Sequence, residues 1–299
     1  MTRPPADPRR LRLPGGRTLA YQCYGAADGR PLYYFHGFPG SRLQAALHDE
    51  EARAAGVLLV AAERPGFGHS DFQPGRTLLG WAEDMGFLAD TLGHGRFGVL
   101  GVSCGGPYAL ACAYRLGERL DYVGLLAGMG PMDIPALRQT QLPALKLMFG
   151  LARRHPCLAS PMLALDRLLF RASPLRAVKA LGKLLAEPDR QLLASDPALA
   201  EGFSRFLAEA YRQGIRGACS EAALIASPRG FEPETIRVPV HLYQSGQDRH
   251  VPEAMALHLQ SRLPRSHLRR YPEEGHLSIV IRQFRQVLAD FQSSNREAN

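Results

Sequence analysis

Apolar residues in this chain follow two spacings. Short, nearly unbroken runs, LYYF (32–35), VLLVAA (57–62), FGVLGV (97–102) and YVGLLAG (122–128), alternate with stretches near 43–55, 81–92 and 106–117 that carry the helical period. Unbroken runs of this length suit strands covered on both faces, so the alternation predicts βαβ units around a mostly parallel, doubly wound sheet. Ahead of them, LRL and TLAYQCYG flank the turn PGGR and predict an antiparallel hairpin. From about Met132 to Thr235 the strand signals stop. LPALKLMFGLARR, SPMLALDRLLFRA, LRAVKALGKLLA and GFSRFLAEAYRQ place apolar residues at helical spacing between Pro, Ser and Asp. Strands resume in VPVHLYQSG (238–246), followed by a helix near 252–262, the short strand HLRRYP and an amphipathic helix from Leu277 to about Phe291. The expected architecture is an α/β core in two parts, 1–131 and 236–299, with a helical cap, 132–235, inserted after the sixth strand.

Composition changes this picture little. A chain of 299 residues that is 45% hydrophobic can bury a full core. The net charge of +8 would attract anions, but the arginines read as scattered and solvated. Zinc-finger spacing, an RNP-like string and a basic region with heptads are all missing, so no nucleic-acid partner is expected. Five widely spaced cysteines without a CxxC pair argue for reduced thiols and no bound metal. The polar leader MTRPPADPRR has no apolar stretch behind it, and no run of about 18 apolar residues is present to span a bilayer. A cytoplasmic protein is expected.

The chemistry enters at GVSCG, residues 101–105, which fits GxSxG between a predicted strand and a predicted helix. A turn that sharp strains its apex, Ser103, and tolerates only small residues at Gly101 and Gly105. Cys104 reads as a small, semi-buried helix-start residue whose backbone N–H, not its sulfur, can serve chemistry. A serine needs a histidine base and an orienting carboxylate, arriving later in the chain as acid and then histidine. Asp248 in SGQDRHVP and His276 in PEEGHLS each follow a predicted strand, and loops at the carboxyl ends of parallel strands converge on one rim. His36 reads as a loop prop and His250 as an exposed structural residue; His69, His94 and His241 read as structural or solvated. Met148, Phe149, Leu168 and Phe170 of the cap either pack it or line an acyl pocket.

Taken in order, HGFPGS (36–41), ERPGFGHS (63–70), GVSCGG, GQDRHVP and GH (275–276) resemble the motifs of the α/β-hydrolase superfamily, in its capped form, over nearly the whole chain. The resemblance implies a catalytic triad of Ser103, Asp248 and His276, with the backbone N–H groups of Phe38 and Cys104 as the oxyanion hole; because a minority of the family takes its acid from the loop after the sixth strand, Asp133 is the alternative acid. One departure is Glu63, where the family commonly has Asp; it bears on loop packing. The resemblance further implies hydrolysis of a small, largely apolar ester, lactone or thioester, with no cofactor and a small-molecule partner. A homodimer stays open. Carbon–carbon bond hydrolysis or perhydrolysis by the same triad is the alternative, and a ligand-binding member without turnover is a third reading. Epoxide hydrolases and haloalkane dehalogenases resemble this fold but need Asp at the apex.

Overall fold

The computed structural model describes residues 7–182 and 185–294. Residues 1–6 of the polar leader and Lys183 and Leu184 of one expected helical stretch lie outside them. Eight strands, β1 (Arg9–Arg12), β2 (Thr18–Gly25), β3 (Arg30–Phe35), β4 (Val57–Ala62), β5 (Phe97–Val102), β6 (Leu120–Leu126), β7 (Val240–Ser245) and β8 (Ser266–Tyr271), form one sheet. Their spatial order is β1-β2-β4-β3-β5-β6-β7-β8. β1 and β2 form the expected hairpin, β2 pairs antiparallel with β4, and the other pairings are parallel. Every residue of β5 is buried, whereas the edge strand β1 is largely exposed. The unbroken apolar runs arise because successive side chains face opposite covered sides. Tyr33, Phe35, Val60 and Val99 pack on one face, and Leu32, Tyr34, Leu59 and Leu100 on the other.

The core helices are α1 (Asp49–Ala54), α2 (Leu78–Thr91) and α3 (Gly106–Leu116); the helices after β6 are α4 (Pro143–Arg154), α5 (Ser160–Ala172), α6 (Pro174–Gly182), α7 (Glu187–Ser195), α8 (Pro197–Ala210) and α9 (Arg216–Ala226). The core then resumes with α10 (Glu253–Arg262), α11 (His276–Arg282) and α12 (Phe284–Ser293). α4 to α9 thus lie between the sixth and seventh strands, and we propose 132–235 as the limits of this cap unit.

Two helix expectations change. The stretch near 43–55 is a 3-10 segment, Arg42–His48, followed by the short α1. There Arg42 is held by Glu63 and Glu209, and Gln44 by the Gly37 N–H, so side-chain anchoring sets the local path. The terminal amphipathic stretch is two helices, broken at Gln283, whose φ of −101° and ψ of 4° leave the helical region. The break lets Phe284 stack on His48 at 3.7 Å while α11 stays at the rim.

Buried ion pairs fasten the cap to the core. Glu221 of α9 receives Arg64 Nη2 at 2.5 Å, Arg76 Nη2 at 2.8 Å and the Tyr108 hydroxyl at 3.1 Å. Burial alone would raise its pKa, but the Arg64 and Arg76 charges outweigh that and hold it below the usual range. Arg42 Nη1 bridges Glu63 at 2.6 Å and Glu209 of α8 at 2.7 Å. Glu63 also accepts the His69 N–H at 2.7 Å, so it is an integral loop brace.

Candidate active site

Between β5 and α3 the chain makes a single tight turn, Ser103–Gly105, with Ser103 at a φ of 54°. That left-handed value is strained for a residue with a side chain. A Cβ on Gly101 would lie 2.4 Å from the Gly105 carbonyl oxygen, and one on Gly105 would lie 2.2 Å from that of Phe35, so the turn closes only with glycine at both. Cys104 is fully buried, more than its sequence position suggests, because it packs into the main core under the cap. Burial, with Glu221 adding to it, pushes its thiol up to about 12, so the sulfur stays protonated at neutral pH.

Asp248 follows β7, and His276 opens α11. His276 Nδ1 lies 2.6 Å from Asp248 Oδ2, while Asp248 Oδ1 accepts the N–H groups of His250 at 2.7 Å and Val251 at 2.8 Å. Desolvation pushes the Asp248 carboxyl up and the His276 imidazole down, but their mutual attraction outweighs both, leaving Asp248 low and His276 raised. A carboxylate at Nδ1 assigns that nitrogen the proton and leaves Nε2 as an acceptor. The alternative acid, Asp133, instead acts on Arg229 and His258. Ser103 and His276 line the same cavity without a direct hydrogen bond, a spacing that commonly tightens only around substrate.

His250 corrects its reading as an exposed residue. It lines the cavity and stacks on His276 with ring centroids 4.7 Å apart, because the Asp248 turn carries it back over the imidazole. Burial, and then the His276 charge, push its pKa down to about 4, so it stays neutral beside the raised His276.

The loop after β3 is held from both sides. Arg64 donates to the His36 carbonyl at 2.5 Å and the Gly37 carbonyl at 2.9 Å, and Gln44 Oε1 accepts the Gly37 N–H at 2.7 Å. The Phe38 N–H is left without a protein acceptor among the described residues. His36 Nδ1 sits 2.9 Å from the Gly37 carbonyl, and burial, with Arg64 beside it, keeps the ring neutral. It props the loop, as its position suggests.

One contact has no counterpart in the sequence reading. Asp189 of α7, 1% exposed, reaches from the cap to the start of α11. Its Oδ2 accepts the His276 N–H at 3.0 Å, and its Oδ1 accepts those of Leu277 at 3.0 Å and Ser278 at 2.8 Å. The first N–H groups of a helix need acceptors and favour negative charge. A Cβ on Gly275 would fall 2.4 Å from Asp189 Oδ1, so glycine there makes room for the carboxylate. The available signal is negative: GHLS starts a helix without Ser, Thr, Asp or Asn ahead of it, so its cap must come from elsewhere.

The cavity has a volume of about 260 Å³ and is walled mainly by apolar side chains, among them Phe149, Phe170, Phe203 and Phe206. Of the four cap residues singled out in the sequence, Phe149 and Phe170 line it, Met148 is buried, and Leu168 is 62% exposed. Leu168 neither packs the cap nor lines the cavity, because it falls on the outer side of α5. Asp248, His250 and His276 place potential metal-ligand atoms within 4.8 Å of one another. Asp248 and His276 are joined by the Nδ1–Oδ2 hydrogen bond, an arrangement that suits proton handling.

Residues 30–282 match the family model described as the alpha/beta hydrolase fold. No curated protein matches the sequence. Solved structures similar to it include a hydrolase from Pseudomonas aeruginosa PA01 (20% identity, TM-score 0.71, covering 95% of this chain and 98% of that one). A thermophilic esterase from Thermogutta terrifontis, described as malate bound, has 22% identity and a TM-score of 0.68, covering 98% and 99% of the two chains. An enol-lactonase from Burkholderia xenovorans LB400 has 17% identity and a TM-score of 0.67, covering 95% and 100%.

Proposed function

This chain belongs to the α/β-hydrolase fold family, and from that premise we propose that it is a serine hydrolase of small, largely apolar carboxylic esters, lactones or thioesters. One observation carries the reading: the strained Ser103 and His276, which is hydrogen-bonded to the buried Asp248, line one apolar cavity. Ser103 Oγ attacks the substrate carbonyl as His276 Nε2 takes its proton, and Asp248 steadies the imidazolium through Nδ1–H. The N–H groups of Phe38 and Cys104 receive the oxyanion, each contributing a few kcal/mol. His276 then returns the proton to the leaving alcohol, and water, activated by the same base, clears the acyl-enzyme. Esterases and an enol-lactonase of the same fold handle bonds of this type.

The test is an alkyl fluorophosphonate followed by peptide mass spectrometry, with nitrophenyl ester hydrolysis measured in parallel. A phosphonyl group on Ser103 and parallel loss of hydrolysis are expected. A label on Cys104, or none, overturns the assignment. Cys104→Ala should retain most of the activity, since its N–H survives and its thiol stays protonated. Loss of turnover in a folded Cys104→Ala protein would contradict that division of roles.

The pH profile follows from the base. Only neutral His276 can accept the Ser103 proton, and its pKa is raised, burial opposing but Asp248 prevailing. The rising limb of kcat/KM should therefore have its midpoint above the ordinary histidine value of about 6.5.

Asp189 acts in this scheme as a positioning residue. Asp189→Ala should cost about 1–2 kcal/mol of stability, the range for a lost helix cap, measured by denaturant titration. Because Asp189 also helps to raise the His276 pKa, the variant's rising limb should move to lower pH. A contact that only stabilised the fold would leave the midpoint in place.

A further inference from the structure

Among the described residues eight large hydrophobic side chains are exposed, and six lie in one stretch of the cap: Leu147, Leu158, Leu165, Leu168, Leu169 and Leu175. They sit on consecutively packed elements: α4, the turn Pro156–Ala159, α5 and α6. α5 is apolar on both sides, with Leu163 and Phe170 buried and Leu165, Leu168 and Leu169 exposed. A surface helix normally turns a polar face to water, so an outward apolar face of this kind marks a binding surface.

Charge identifies what covers it. Arg153, Arg154, Arg171 and Arg176 are exposed among these leucines and have no ion-pair or hydrogen-bond partner among the described residues. Several exposed arginines elsewhere, among them Arg53, Arg96 and Arg270, are paired with Asp49, Asp121 and Glu253; Arg9, Arg12, Arg237, Arg249 and Arg265 are exposed and unpaired too among the described residues, but they lie outside the stretch that carries the exposed cap leucines. Residues 140–186 contain eight Lys and Arg but one acidic residue, Asp166, and so carry seven of the eight net positive charges. Asp166 lines the cavity and accepts the Tyr211 hydroxyl. The excess of cations is therefore concentrated in this one stretch of the cap, 140–186, and not over the cap as a whole.

We propose that this face of the cap docks on an anionic lipid bilayer surface. Leucines entering the acyl boundary while arginines meet headgroup phosphates is the pattern of an interfacial amphipathic element. Among the described residues no helix is long and apolar enough to cross a membrane, so the face lies on the surface. A second copy fits less well, because an isologous contact would bring the unpaired arginines of both chains together. The helices whose outer sides carry the exposed leucines also supply Phe149 and Phe170 to the cavity wall. Docking therefore places that wall beside the lipid phase. The proposal concerns binding and does not rest on the hydrolase reading.

The test is co-sedimentation of the full chain with vesicles of phosphatidylglycerol and phosphatidylcholine, against phosphatidylcholine alone. Binding to the anionic vesicles should be tighter by about tenfold or more, and should weaken on raising salt to about 0.5 M. The combined variant Arg153→Gln, Arg154→Gln, Arg171→Gln and Arg176→Gln, and separately Leu165→Ser, Leu168→Ser and Leu169→Ser, should each lower anionic-vesicle binding by about tenfold or more. Circular dichroism melts should show both variants folded. No binding to either vesicle, equal binding to both, or binding that folded variants leave unchanged would overturn the proposal. So would concentration-dependent self-association in sedimentation velocity that the leucine variant abolishes, since the face would then belong to a second copy.

Discussion

Ser103→Ala is expected to lower kcat/KM for any accepted ester by about 10⁴-fold or more, with KM little changed. The substitution removes the attacking oxygen and leaves the cavity wall, the loop at Phe38 and the His276–Asp248 pair in place, so substrate binds but no acyl-enzyme forms. Single-turnover assays with a nitrophenyl ester measure the loss, and the fluorophosphonate label should vanish with it. The backbone supplies a folding control. Any residue with a Cβ at a φ of 54° remains strained, so Ser103→Gly should melt no lower than Ser103→Ala despite glycine's greater freedom when unfolded. Ser103→Ala that keeps near-normal turnover while folded would place the nucleophile elsewhere.

Asp248→Asn is expected to reduce kcat by about 10⁴-fold, because an amide keeps the shape of the side chain but not its charge. At present Oδ2 faces His276 Nδ1 at 2.6 Å, and Oδ1 is held by the N–H groups of His250 and Val251. With those two donors fixing the amide oxygen, the amide nitrogen must face Nδ1, which turns the proton to Nε2, where it blocks acceptance from Ser103. Loss of the negative charge also removes the main influence that raises His276, so any residual activity should titrate at lower pH than in the unaltered protein. An Asp133→Asn control should leave kcat within about twofold, given that Asp133 acts on Arg229 and His258 instead. The reverse pattern, with Asp133→Asn inactive and Asp248→Asn active, would reassign the acid.

The parts of the candidate site that were legible are those whose chemistry is local. GVSCG announces its own geometry, because strand, tight turn and helix are consecutive and only glycine fits at 101 and 105. Asp248 and His276 follow strand ends and share one rim because the sheet is parallel there. What stayed hidden depends on residues far apart in sequence. Arg64 pins the carbonyls of the loop before Phe38, Asp189 caps the helix that begins at His276, and Glu221 ties α9 to the core. Each partner lies in a segment whose pattern, taken alone, reads only as loop or helix. His250 shows the same limit: a histidine two residues past an acid reads as exposed until the turn is seen to fold it over His276.

By itself, the sequence determined the α/β architecture and pointed to a helical insertion after the sixth strand and to Ser103 as nucleophile, with the family resemblance favouring Asp248 and His276 as its partners. Period, punctuation and elbow geometry act over a few residues and need no knowledge of what packs against them. Tertiary structure alone decided which cap side chains face inward. Phe170 and Leu168 are two positions apart on one amphipathic-looking helix, yet one lines the cavity and the other faces outward. On a helix apolar on both sides, hydrophobic spacing no longer marks the buried face, and only the packing of α5 against α6, α8 and α9 selects it.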